Sequence, residues 1–75
     1  MASFGLGVEI WSRGSDAARR YYLVRVGKNT TRAIGAFAGY SDYDAAADAA
    51  RAYVADQVFI ARMRYIDEMM LTLPN

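Results

Sequence analysis

Catalysis needs side chains that hold or move charge, and this sequence has few. It contains no His and no Cys, so the usual general base, the thiol nucleophile and the soft metal ligands are missing together. Carboxylates remain. Asp42, Asp44 and Asp48 could be read as an oxygen-ligand cation site, but acidic residues also gather at a helix N-terminus, and that role accounts for the first two without a metal. Gly5-Leu6-Gly7 is not followed by a helix, so it is no phosphate loop and reads as a strand entry. The expectation is a protein that is not an enzyme and uses no metal and no cofactor.

What the sequence offers instead is arginine and aromatic side chains, the types enriched at binding hot spots. Their usefulness depends on the elements that carry them. From Phe4 to Arg13 apolar residues alternate, with Phe4, Leu6, Val8 and Ile10 on one side, which is the period of a half-buried strand. Gly14-Ser15-Asp16 supplies turn chemistry, and Tyr21 to Val26 is rich in aromatic and β-branched residues, giving a second strand. Gly27-Lys28-Asn29 contains residues that tolerate positive φ and should close a hairpin into a third strand from Thr30 to Phe37. Ser41 followed by Asp44 has capping-box spacing. After it, Ala45-Ala46-Ala47-Asp48-Ala49-Ala50 opens a helix that no Gly or Pro interrupts before Pro74. The fold expected is therefore α+β, a three-stranded antiparallel sheet packed on one long or broken C-terminal α-helix (βββα), in a single domain spanning residues 1–75.

On the helix, Tyr43, Ala46, Ala47, Ala50, Tyr53, Val54, Gln57 and Ala61 share the side that should meet the sheet. A helix from residue 42 to 70 would be about 43 Å long, whereas a seven-residue strand spans about 23 Å. The helix must break near Asp56-Gln57 or overhang the sheet, and a short final strand over Val58 to Ile66 is a further alternative. A second stripe, Phe59, Met63, Ile66 and Met70, recurs at spacings of four, three and four. It is either core formed after a break or a surface for a second copy or a partner helix.

Strand parity then assigns the sheet's faces. If Val8, Ile10, Tyr22, Val24 and Val26 face the helix, the outer face carries Trp11, Arg13, Tyr21, Leu23, Arg25 and, depending on the third strand, Arg32. That patch could contact a protein, or a nucleic acid through phosphate contacts and stacking. The alternative is that it is covered by the N-terminal residues or a neighbouring subunit, with its arginines a solvated edge.

Composition narrows the class of protein. At 75 residues and 55% hydrophobic content, the chain has more apolar material than one small core requires, which points to a partner. Its net charge is only +1. Residues 1–40 hold six basic and two acidic side chains, a net +4, whereas residues 41–75 hold three and six, a net −3. The lack of Cys fits a reducing compartment, and no apolar run approaches the ~20 residues that cross a bilayer. A cytoplasmic protein that does not contact membranes is expected.

Two resemblances arise from the stretch Tyr22 to Val54. A Tyr-Leu-Val-Arg-Val strand, a Gly-Lys hairpin, an Ala-Phe strand end and Ala-Ala-Arg-Ala-Tyr at 49–53 resemble the sheet-plus-helix DNA-binding domains of the plant AP2 type and of phage integrase arms. That likeness implies DNA contact by Trp11, Arg13, Arg25 and Arg32, although the net charge is near neutral and the third strand departs from the pattern. The run Val24 to Val26, Gly27-Lys28, Arg32-Ala33, Ala38-Gly39, Ser41-Asp42 and Ala45 to Ala50 resembles small phage-encoded inhibitors of the anti-CRISPR type. That likeness implies a stoichiometric inhibitor, acting in the host cytoplasm, that sterically blocks a host protein or nucleoprotein nuclease complex. The inhibitor is the leading expectation and the DNA-binding sheet the alternative; a homodimer is compatible with either.

Overall fold

Leu23 and Val8 are the largest fully buried side chains, and Ala46 and Ala50 are fully buried opposite the sheet. These small residues let a helix axis approach a sheet closely. The computed structural model describes residues 4–72, with side chains through Met69. Within it, β1 (Val8–Arg13), β2 (Arg20–Gly27) and β3 (Thr30–Ile34) form an antiparallel sheet in the order β1-β2-β3, followed by α1 (Tyr43–Thr72). The expected βββα arrangement is the one observed. A single 3₁₀ turn, Asp16–Ala18, links β1 to β2.

The strand boundaries are tighter than the alternation implies, and left-handed backbone explains both differences. Gly5, Leu6 and Gly7 all have positive φ, at 94°, 55° and 74°, so the chain turns here and β1 begins at Val8 rather than at Phe4. A Cβ on Gly7 would collide with the Val26 carbonyl, while the Val26 amide donates to the Gly7 carbonyl at 2.8 Å. Similarly, β3 ends at Ile34 because Gly35 takes φ 75°, which puts Phe37 in a turn beyond the strand. The chain rejoins the sheet at Tyr40, which exchanges both backbone hydrogen bonds with Tyr21, at 3.0 and 2.7 Å. The intervening loop is held by Arg20, whose guanidinium donates to the carbonyls of Ala38 and Gly39 at 3.1 and 2.9 Å.

The helix is capped by Asp42, one residue later than Ser41: its Oδ1 accepts from the Ala45 amide at 2.7 Å, the bond an N-cap makes to the third helical residue. The helix does not break at Asp56-Gln57, and Val58 to Ile66 is helical, not a strand. At 30 residues it is about 45 Å long, and it carries the principal extents to 62 × 26 × 23 Å. Contacts with the sheet come from its first half, where Ala46, Ala47 and Ala50 are buried and Ala49, Tyr53 and Val54 pack around the core. Among the described side chains of α1, Gln57 is the last that is not exposed, and residues 58–69 are all exposed.

The close approach at Ala50 is directly testable. Ala50→Leu should overpack against Leu23 and Val8 and cost about 1–3 kcal/mol. Circular dichroism should record this as a lower melting temperature, by about 4–8 °C per kcal/mol in a domain of this size.

Candidate interaction surfaces

The pairing register decides which side chains share a face. Ile10 pairs with Leu23, Val8 with Arg25 and Ser12 with Tyr21, while Trp11 pairs with Tyr22 and Glu9 with Val24. Leu23 pairs in turn with Ile34, and Arg25 with Arg32. Tyr21, Leu23, Arg25 and Arg32 are therefore on the helix side of the sheet, opposite to the face assigned from the sequence. Tyr22, Val24 and Val26 are on the outer side. Of the six expected patch residues, only Trp11 and Arg13 stand together on the outer face.

The physical reason is that β2, the central strand, is apolar in both parities. Val24 on the outer face is only 6% exposed and Leu23 on the inner face only 1%, so alternation alone cannot distinguish them. The inner row is accommodated because Arg25 finds hydrogen-bond partners and Arg32, on the edge strand, is exposed. Arg25 Nε donates to the Leu6 carbonyl at 3.2 Å and its guanidinium to the Tyr53 hydroxyl at 3.4 Å. Tyr21 meets Tyr43 edge to face, with ring centroids 6.1 Å apart.

The outer face carries Trp11, 49% exposed, whose indole N–H donates to Glu9 Oε1 at 2.9 Å. Tyr22 lies across from it, and Trp11, Tyr22, Val24 and Arg13 border a shallow hollow of ≈ 310 Å³. Arg13 pairs across the strands with Arg20, whose guanidinium is held by the loop carbonyls. The surface is thus aromatic, with one arginine available for an incoming ligand, and it is less basic than the sequence suggested.

Two of the acidic residues near the helix start are engaged locally. Asp42 caps the helix, and Asp48 pairs with Arg51 at 3.0 Å. Among the described residues no three carboxylates gather into a possible metal site.

The second surface is the protruding half of α1. Phe59 and Tyr65 are 65% and 64% exposed, and Val58, Ile60, Met63, Ile66 and Met69 are also exposed. The expected stripe residues Phe59, Met63 and Ile66 are together on one side of the helix; Met70 lies in the helical backbone, with its side chain outside the described residues. The apolar surface is broader than that stripe. Val58, Ala61, Tyr65 and Ile66 line a groove of ≈ 550 Å³ beside the overhang, closed at the sheet end by Leu6 and Arg25. Tyr65 lies outside the single stripe because the apolar side chains run around more than half the helix. Phe37 is outside it as well and stands fully exposed on the loop after β3, since the strand expected from Thr30 to Phe37 ends at Ile34.

No family model, curated protein or solved structure matches this chain. Among the described residues no helix is long and apolar enough to cross a membrane.

Paired substitutions check the faces. Leu23→Ala should cost about 2–5 kcal/mol, the range for a fully buried leucine, whereas Trp11→Ala, at a half-exposed site, should cost clearly less. Chemical denaturation of both variants measures the difference, and the reverse order would mean that the faces are exchanged.

Proposed function

We propose that this chain is a non-catalytic binding module that works by occupying a protein surface, with the protruding half of α1 as its main contact element. One observation carries the reading: seven large apolar side chains between Val58 and Met69 are at least one-third exposed on a helix that the sheet no longer covers. Apolar surface of that extent rimmed by charge is characteristic of an interaction site. Tyr65 beside Arg25 and Arg62 is a hot-spot combination, an aromatic anchor flanked by guanidinium groups.

The resemblance to small phage inhibitors gives this function a particular form. The chain would bind stoichiometrically to a host nuclease complex in the cytoplasm and block it sterically, with no chemistry of its own. The absence of His and Cys and the uncovered apolar helix support that form.

A second reading is supported by Trp11, Tyr22 and Arg13 on the outer face of the sheet, a small platform on which DNA could be held by stacking and one phosphate contact. It has less support than the sequence suggested, since Arg25 and Arg32 lie on the opposite side of the sheet.

Phage infection of a host with an active CRISPR nuclease system tests the first reading. The chain should restore plaque formation, and Tyr65→Asp, with helix content intact, should lose most of that effect. No restoration across the nuclease classes would overturn the inhibitor form, and full activity of Tyr65→Asp would remove the groove from the contact. The second reading is tested by titrating labelled duplex DNA. Phosphate-dominated binding should weaken by at least about tenfold between about 50 and 200 mM salt and should depend on Arg13 and Trp11.

A further inference from the structure

The stripe on the protruding helix has the spacing of a coiled-coil seam, and its flanks carry charges that match a second copy. Phe59 and Ile66 occupy d positions and Met63 the intervening a position; Met70 continues the spacing in sequence. In that frame Arg62 is a g residue and Asp67 an e residue. Both are exposed, and neither joins the one ion pair among the described residues, Arg51–Asp48. Within one helix they are five residues apart and on different sides of the seam, so they do not pair with each other. In two parallel, in-register helices a g residue meets the e residue five positions further along the partner, so Arg62 of each chain would meet Asp67 of the other.

We infer that the first partner of this helix is a second copy of the same chain, joined as a parallel, in-register pair through Phe59, Met63 and Ile66 and flanked by two reciprocal Arg62–Asp67 ion pairs. An antiparallel pair has no such match, since it sets Arg62 near Met69 and Ile60 near Asp67. The sheet does not obstruct the parallel pair, because the seam lies on the side of α1 opposite the buried Ala46 and Ala50. Asp56 marks where the seam begins. It occupies the a position one turn before Phe59, where it would face its own copy and repel it, so close contact starts at Phe59 and the two domains diverge above it. A seam of about three turns covers less than the ~800 Å² per partner of a standard stable interface, so the pair is concentration-dependent. Pairing leaves Tyr65 with Val58 and Ala61 on the flank, whereas Ile66 and Arg62, which also line the groove, belong to the seam and its ion pairs.

The inference rests on the reading that the helix end is a protein contact, and it can fail independently. Sedimentation of the full chain from about 5 to about 500 µM should show a monomer–dimer equilibrium. Arg62→Asp or Asp67→Arg alone should weaken the dimer by roughly tenfold or more, because each turns two attractions into repulsions. The double exchange should restore it, and Asp56→Leu should strengthen it by extending the seam. Because the chain has no Cys, Ile66→Cys should cross-link to itself on mild oxidation. A monomer throughout, a double exchange that restores nothing, or cross-linking of Ile66→Cys only to a Met63→Cys partner would each overturn the parallel pair. A monomer that still restores plaques would remove this inference and leave the protein-blocking reading intact; a charge-reversible dimer without any restoration would do the opposite.

Discussion

Packing of Ala50 against Leu23 and Val8, with Ala46 fully buried one turn before it, sets the dimensions of everything else in this protein. Because the fully buried helix residues present only methyl groups, the helix axis lies near the strands and the core is thin. A thin core is filled by few residues. Leu23 and Val8 with Ile10, Ile34 and Tyr40 complete it from the sheet and loop, Tyr53 and Val54 from the helix, and Phe4 from the segment before β1. Nothing apolar beyond Val54 is needed to close it. The remaining turns of α1 are thus released from the fold, and their side chains are open to selection for contact with other molecules.

The order of elements was legible in the sequence because each has its own local signal: alternation in β1, Gly-Lys-Asn at the hairpin, and the alanine run in α1. The ends of the strands were less so. Gly5, Gly7 and Gly35 fit an extended pattern as readily as a turn, and only the positive φ they adopt shows where the strands stop. The faces of β2 were not legible, since Leu23 and Val24 are equally at home in a core. What settles the parity lies outside the strand: the pairing of Ile10 with Leu23, and the Leu6 carbonyl and Tyr53 hydroxyl that receive the Arg25 side chain.

The helix offers a complementary lesson. Its residues have no reason to stop at Gln57, because the helical hydrogen bonds continue whether or not a sheet lies alongside. The length mismatch between strand and helix therefore resolves as an overhang. Spacing found Phe59, Met63 and Ile66, the part of the exposed surface that follows a seam. It could not find Tyr65 in its groove, which depends on where the sheet ends, or Phe37, whose exposure follows from the turn at Gly35 and from Arg20 holding the loop carbonyls.

The unbroken course of α1 also links recognition to folding. The segment from Val58 onward extends the same hydrogen-bonded ladder that packs on the sheet around Ala46 and Ala50, yet its described side chains have no sheet against them. A partner that clasps those outer turns would stabilise the folded state of the whole chain, because the rod and the three-stranded domain share one helix. The folded population of this chain would then be partly set by whatever bound it, and a copy without such a partner would present proteases with a half-guarded helix.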